Sequence, residues 1–406
     1  MVAPKDEEWT HTDINSKYQE VLWTRSEALE VLTKGLNEFG PVLWQNVVGS
    51  ELNNRILSPV LVAVSLAMPS FGASADDQSR FNGIVKTPKF KYQARIAYQA
   101  LVDHLEELRD AGLRVAHGIF MSETTEPRFE FIEATTRAFR SPLKKINFEN
   151  PYEIAKSIND WITKKTGSKI SNVIADVDIE RHPCIILASA LYFKGTWEQK
   201  FNETDPKSQP FHLSSDHEKN VDYMATDGTF LRGYIKAVEA DYVVVPYQVN
   251  EGKKMIPMKM IFILPKEETG FFKLVDNFHL IAVQKLIPEA TESEVHIQLP
   301  QFDKLECQED LKLPLKRLGL GAPFSPCGLS NFNKLVDEEP KLYISQAVHT
   351  AVFEIDSIGV KDPPSPPATG PGVFQFIANR PFYAVLLGEI NEDYVNILTI
   401  RYCGPN

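Results

Sequence analysis

The chain has 406 residues, of which 43% are hydrophobic and 24% are charged, and this composition is typical of a folded globular protein. Its 43 basic and 54 acidic residues give a net charge of −11, which argues against a protein-wide nucleic-acid-binding surface. No apolar run reaches membrane-spanning length, so we expect neither a nucleic-acid nor a membrane partner.

The first half of the chain is predicted to be mainly helical. Residues 27–39 and 95–113 place apolar side chains at three-and-four spacing, which predicts amphipathic helices. Residues 59–71 are almost wholly apolar and predict a helix that is buried on all sides. The basic cluster Lys86, Lys89, Lys91 and Arg95 is the best local candidate for polyanion binding. A solvated helix or loop face is the commoner explanation of such a cluster.

The second half is rich in strands. Apolar runs bounded by turn or proline signals predict strands at residues 184–193, 241–247, 258–265, 294–302 and 394–402. Strands mixed with helices, without regular alternation, predict an α+β fold. There is no internal repeat and no dividing linker, so we expect residues 27–406 to form a single domain. Residues 1–26 are then an N-terminal extension or the region of a first helix.

A proline-rich segment interrupts this strand pattern near the C-terminus. The apolar, β-branched run at residues 348–355 predicts a strand buried on both faces. Residues 363–371 then contain five prolines. Because proline fixes φ and lacks an amide donor, this stretch must leave the sheet as an extended loop. Strand composition resumes at residues 373–377 and 382–387. The segment is therefore an exposed loop held at both ends, either a recognition element or a surface linker.

The sequence contains no recognisable catalytic or cofactor-binding motif. There is no GxSxG, HExxH or phosphate-binding loop, and the pair Gly319 and Gly321 lacks both a preceding strand and a third glycine. His182 and Cys184 are too few for a metal site. His349 lies within an apolar strand, which favours a hydrogen-bonded core residue over a catalytic one. We therefore expect no enzyme activity, no cofactor and no metal.

The cysteines and the one glycosylation sequon do not determine the cellular compartment. Cys184, Cys307, Cys327 and Cys403 are scattered and form no CxxC pair, so their disulfide state is not determined. The triplet at residues 202–204 makes Asn202 a candidate glycosylation site. Residues 1–20 lack the basic start and hydrophobic stretch of a signal peptide. Both an intracellular protein and a processed N-terminus agree with this start.

Several segments resemble the serpin family. Residues 54–73 are similar to its NxxxSP turn and buried helix, and residues 158–170 and 190–201 to its INDW and YFKG motifs. VVPY at 244–247, LPQF at 299–302 and the HTA segment within residues 344–356 keep the family order. The resemblance covers nearly everything from residue 27 onward. It implies three β-sheets, about nine helices and an exposed reactive-centre loop, here about residues 359–378.

The resemblance also implies functional positions. In inhibitory serpins a protease cleaves the loop, which then inserts into the central sheet as a new strand. The hinge that starts insertion corresponds to residues Gly359, Val360, Lys361, Asp362, Pro363 and Pro364. The protease-binding window corresponds to Pro366, Pro367, Ala368, Thr369, Gly370, Pro371, Gly372 and Val373. The residues that control opening of the sheet correspond to Ser58, Ser189, Trp197 and His349.

The hinge departs from the family pattern. It has prolines and Asp362 where inhibitory members have small residues, so full insertion is expected to be unfavourable. Pro381 lies only 22 positions after Gly359, which is short for the family. In the family a network of polar side chains lies beneath the central sheet, and here Leu61 and Ser189 replace two of its members. Ser357 replaces the usual acid at the top of the strand. These replacements together predict a stiffer sheet.

The position of the scissile bond can be counted from either end of the loop, with different results. Counting forward from Gly359 places it at Val373, whereas counting back from Pro381 places it at Gly370. Because the flanking prolines would push it outward, we choose residues 368–370, with Thr369 at the centre.

These features predict a protease inhibitor that works by filling an active-site groove. Short-loop insect serpins, including those of moth silk glands, are associated with papain-like cysteine proteases, so the resemblance favours a cathepsin-L-like target over a serine protease. The alternatives are inhibition of serine proteases and a non-inhibitory carrier, storage or chaperone role. The resemblance further implies a secreted monomer whose partner is the target protease.

Overall fold

The computed structural model describes residues 24–49, 51–214, 216–248, 256–302, 304–327, 329–336, 342–362 and 372–405, apart from the side chains of residues 360 and 361. This part of the chain contains nine α-helices: α1 Arg25–Val48, α2 Pro59–Ser70, α3 Ala75–Val85, α4 Lys91–Glu107, α5 Phe129–Phe139, α6 Pro151–Lys165, α7 Phe271–Asn277, α8 Leu286–Glu289 and α9 Lys312–Leu315.

The same residues contain sixteen strands, bounded as follows: β1 Arg55–Leu57, β2 Leu113–Ser122, β3 Lys144–Ile146, β4 Ile185–Phe193, β5 Trp197–Gln199, β6 Asn202–Ser214, β7 His217–Ile235, β8 Ala240–Pro246, β9 Met258–Pro265, β10 Thr291–Pro300, β11 Leu305–Asp310, β12 Ile344–Phe353, β13 Gly359–Lys361, β14 Phe374–Ile377, β15 Phe382–Ile390 and β16 Asp393–Tyr402.

These strands form three sheets. The large sheet has the order β1-β16-β15-β9-β8-β7-β10-β14, with β6 also paired to β7. The central sheet has the order β11-β12-β4-β2-β3, and the two-stranded hinge ladder consists of β13 and β5. The predicted α+β architecture with three sheets and about nine helices is confirmed.

Local sequence signals explain where the first two helices begin. Thr24 and Glu27 form a capping box at the start of α1: the Glu27 amide donates to Thr24 Oγ1 at 3.2 Å and the Thr24 amide to Glu27 Oε2 at 2.7 Å. Ser58 caps α2, and Pro59 occupies its first position, where a missing amide costs nothing. All twelve residues of α2 are buried, as predicted from their apolar character.

The predicted helix at residues 95–113 is wrong at both ends. Helix α4 begins earlier, at Lys91, and ends at Glu107. A short 3₁₀ turn follows and stops at Gly112, whose φ of 99° belongs to the left-handed region. Leu113 is then the first residue of β2. The prediction failed because an apolar residue at this position suits the last turn of a helix and the first buried position of a strand equally well.

Two apolar clusters form the core. The larger one joins α1, α2 and the large sheet, and includes Leu36, Leu61, Val385 and Ile400. The smaller one packs Ile158 and other residues of α6 against the outer face of the central sheet. The central sheet is thus covered by helices on both faces, which explains the nearly continuous apolar sequence of β4 and β12.

Candidate functional site

Two ordered anchors bracket the proline-rich segment. Upstream, β12 leads through residues 354–358 into the hinge strand β13, and Asp362 beyond it is exposed. Downstream, Gly372 has a φ of 111° and precedes β14, which pairs in parallel with β10. Positions 363–371 of the predicted hinge and protease-binding window, Pro363, Pro364, Pro366, Pro367, Ala368, Thr369, Gly370 and Pro371 among them, lie outside the described residues.

The central sheet is closed at the place where the family's loop would insert. Strands β12 and β4 pair directly and in parallel, with a register that runs from Val348 opposite Ala188 to Phe353 opposite Phe193. The Glu354 amide extends the contact by donating to the Phe193 carbonyl at 3.1 Å. A new strand could enter between β12 and β4 only after this ladder had separated along its length.

The hinge pairs outside the central sheet. In the hinge ladder, Gly359 lies opposite Trp197 and Lys361 opposite Gln199, in parallel orientation. Two further backbone bonds extend this contact: the Trp197 amide donates to Ile358 at 3.0 Å, and the Phe201 amide donates to Ser357 at 3.1 Å. The start of the loop is therefore held along β5.

A glycine is required at position 359 because the hinge and the end of β5 approach each other closely. A Cβ on Gly359 would lie 2.3 Å from the Lys200 nitrogen and 2.4 Å from its Cα. Both are backbone atoms, which cannot move aside as a flexible side chain can. The sequence signal for this site was the hinge glycine itself, but its partner strand was not predicted.

Trp197 holds the hinge from beneath. Its indole ring is fully buried and stacks on Tyr247, with ring centroids 4.2 Å apart and planes inclined by 13°. The indole Nε1 donates to the carbonyl of Asp356 at 2.8 Å. One buried ring thus joins the segment after β12 to the large sheet, because Tyr247 follows β8.

An ion-pair cluster ties the same segment to the end of β4. The ammonium of Lys194 lies 3.0 Å from the carboxylate of Asp356 and 3.4 Å from that of Glu354. Hydrogen bonding to Asp356 is the main cause that raises the pKa of Lys194. Sequence reasoning missed this cluster, although Lys194 belongs to the YFKG motif and the two acids follow the buried strand.

Beneath the sheet, His349 joins β12 to α2 and β4. Its Nε2 accepts the Ser58 amide at 3.0 Å, so the ring proton resides on Nδ1, which lies 2.9 Å from Ser189 Oγ. Ser58 Oγ in turn donates to the Ile397 carbonyl at 2.7 Å. Complete burial lowers the pKa of His349 to about 3, so the ring is neutral at physiological pH.

Ser189 preserves a polar partner in this network, whereas Leu61 does not. The Leu61 side chain is fully buried, and its amide donates to Ser58 Oγ at 3.3 Å as part of the cap of α2. His349, Ser58 and Ser189 therefore form a satisfied three-residue network, named here the buried switch. Of the four predicted control residues, Ser189 lies on β4 and His349 on β12. Ser58 caps α2 and contacts His349, and Trp197 begins β5, shortly after the end of β4.

The described residues contain no cluster of three or more potential metal ligands. No helix among them is long and apolar enough to span a membrane. All four cysteines are free; burial raises the pKa of Cys184 and Cys307, and raises that of Cys403 to about 11. The thiols of Cys184, Cys307 and Cys403 are consequently poor nucleophiles at neutral pH.

Comparison with known proteins agrees with this geometry. A family profile described as "Serpin (serine protease inhibitor)" matches residues 34–394. Leukocyte elastase inhibitor of Bos taurus is 29% identical over 344 residues, which is 81% of this chain and 88% of the relative. Iripin-1 of Ixodes ricinus is 26% identical over 383 residues, which is 91% of this chain and 94% of the relative.

The fold is shared with solved structures as well. Serpin48, described as a highly specific serpin in the insect Tenebrio molitor, superimposes with a TM-score of 0.79 at 21% identity, covering 93% of this chain and 99% of that chain. The matching family is one of protease inhibitors and not of enzymes. This chain belongs to the serpin family.

Proposed function

We propose that this serpin inhibits its target by placing a short, stiff loop in the active-site groove, without complete insertion of that loop. The observation that carries the proposal is the hinge ladder. Gly359 and Lys361 pair with β5 outside the central sheet, while β12 and β4 are joined directly. Insertion would have to break both ladders.

The sequence of the loop supports the same mechanism. Prolines at 363, 364, 366 and 367 cannot donate to a new sheet ladder, and Asp362 would be buried at an alternate position of an inserted strand. An extended proline-rich segment also loses little conformational entropy when it docks in a protease cleft. The composition thus disfavours insertion and favours docking.

The proposed target is a papain-like, cathepsin-L-like cysteine protease. Support comes from the resemblance to short-loop insect serpins, since Pro381 lies only 22 positions after Gly359. Inhibition of a serine protease is the alternative, and the description of the family and the name of the bovine relative support it. We assign residues 368–370 to the protease contact, with Thr369 at the centre.

We assign residues 27–406 to one monomeric domain, with control of sheet opening by Ser58, Ser189, Trp197 and His349. We also propose secretion, which the resemblance to secreted members of the family supports. Asn202 is exposed at the start of β6, which is compatible with glycosylation.

Inhibition assays test the function. The protein is titrated against a cathepsin-L-like and a trypsin-like protease, and residual activity, gel mobility and the N-terminus of any nicked product are measured. We expect loss of cysteine-protease activity near equal molar ratio, recovery on dilution and no SDS-stable complex. Thr369→Glu should weaken inhibition, whereas Thr136→Glu, on the exposed face of α5, should not.

The outcomes separate the alternatives. Inhibition of trypsin alone would move the target to the serine class. An SDS-stable complex would show covalent trapping and contradict the groove mechanism. Clean cutting of the loop with both proteases fully active would leave the carrier, storage or chaperone role.

A further inference from the structure

A cavity of about 350 Å³ opens between α4, α5 and the end of α2. Its volume lies at the lower end of the range of about 300–1,000 Å³ typical of small-molecule sites. It belongs to neither the loop, the hinge ladder nor the buried switch. Its lining combines aromatic and cationic side chains, among them Phe71, Tyr92, Phe131, Lys91, Arg95 and Arg137.

The floor of the cavity is apolar and firmly supported. Phe71 and Phe131 are each 2% exposed, and Phe71 packs edge-on against Phe139 with ring centroids 5.4 Å apart. Ala134 presents only a methyl group toward the space, and Tyr92 is exposed at the entrance. A ligand with a hydrocarbon or aromatic body would gain apolar burial here.

The rim of the cavity is strongly basic. Five of the lining side chains are Lys or Arg and two are Glu, although the whole chain has a net charge of −11. Arg137 pairs with Glu133 at 2.7 Å. Arg95 faces the ring of Tyr92 at 5.5 Å, and among the described residues neither Arg95 nor Lys334 has a carboxylate within ion-pairing distance.

The cations are also held close to the floor. The Lys91 ammonium lies 5.8 Å from the centroid of the Phe71 ring and donates to the Phe71 carbonyl at 3.4 Å. Arg128 Nε donates to the Val336 carbonyl at 3.3 Å. These backbone contacts place both side chains at the edge of the apolar floor.

We propose that this cavity binds a small amphipathic anion, with its apolar body against Phe71, Phe131 and Ala134 and its acid group among the cations of the rim. An extended polyanion would use the charges but leave the cavity empty. A neutral hydrophobe would use the floor but not the rim. The combination of both features selects a compact carboxylate, sulfonate or phosphate that carries a hydrocarbon body.

Fluorescence titration with 8-anilinonaphthalene-1-sulfonate tests the site. The uncharged analogue N-phenyl-1-naphthylamine measures the contribution of the acid group. We expect saturable, one-site binding of the sulfonate, and at least about tenfold weaker binding of the neutral probe, because the rim supplies the electrostatic part of the affinity. Equal affinity for both probes would overturn the role of the rim.

Two variants and one control locate the binding. Ala134→Trp fills the cavity and Arg137→Glu reverses a rim charge, and each should weaken sulfonate binding at least about tenfold. Lys156→Glu is the matched control, because Lys156 also forms an i,i+4 pair on a helix surface, with Asp160 at 2.6 Å. Circular dichroism melts verify that each variant folds. Unchanged binding by folded Ala134→Trp, or equal effects of Arg137→Glu and Lys156→Glu, would refute the site.

Discussion

Gly359 and Lys200 approach so closely that a Cβ on the glycine would lie 2.3 Å from the lysine amide nitrogen. The contact joins the first residue of the hinge to the residue after β5, across 159 positions of sequence. The hinge cannot pair with β5 and insert into the central sheet at the same time. Detachment from β5 is therefore a precondition for insertion of the loop.

Gly359→Ala is expected to detach the hinge. The methyl group would meet backbone atoms, so the hinge ladder should lose about 1–3 kcal/mol. Hydrogen exchange followed by mass spectrometry should show faster exchange at the amides of Trp197 and Phe201, which donate to residues 358 and 357. Gly321→Ala is the control, because its Cβ would point into open space. Unchanged exchange at both amides would contradict the hinge ladder.

His349 is expected to make stability depend on pH. Its folded pKa is lowered from 6.5 to about 3, so the unfolded chain binds the proton more readily. The stabilisation by the neutral ring is present above about pH 6.5 and falls by roughly 1.4 kcal/mol per pH unit as the pH drops toward 3. Urea unfolding at pH 4.5 to 7.5 measures this slope.

His349→Gln should reduce that slope and also lower stability at pH 7.5 by about 1–3 kcal/mol, because the glutamine amide cannot reproduce the contacts of both ring nitrogens, with the Ser58 amide and with Ser189 Oγ. His117 is buried too, with a pKa lowered to about 4, so part of the slope should remain. His182→Gln, at an exposed position, should change neither quantity. An unchanged slope of stability against pH in His349→Gln would show that protonation of His349 is not coupled to unfolding.

Lys194→Ala is expected to have a small effect on stability. The Lys194 side chain is 41% exposed, so solvent screens its pairs with Asp356 and Glu354, and the loss should be about 0.5–1 kcal/mol. A double-mutant cycle with Asp356→Ala measures the coupling. A coupling several times larger would mean that the pair acts as a main latch of the hinge.

Loop composition is expected to control insertion. Cleaved wild-type protein should melt within a few degrees of the intact protein, since the prolines keep the loop out of the central sheet. A variant with Asp362→Thr and alanine at residues 363, 364, 366 and 367 should gain much more thermal stability on cleavage. The intact variant is the control for the substitutions themselves. A large gain in cleaved wild-type protein would disprove the proposed mechanism.

Much of the fold could be predicted because its signals are local. The unbroken apolar run of α2 required burial on all sides, and the β-branched run of β12 required a central strand. The five prolines placed the loop between two strands. The boundary at Leu113 could not be predicted, because one apolar residue satisfies both helix and strand patterns.

The sequence by itself determined the family fold, the two anchors of the loop and the presence of a proline-rich hinge, since each depends on the conformational preferences of neighbouring residues. Only the tertiary structure decided that Gly359 pairs with Trp197 and that Lys194 meets Asp356. It alone also brought Lys91 and Arg137 to one cavity. These contacts join residues far apart in the chain, and packing of the whole core, not local propensity, selects them.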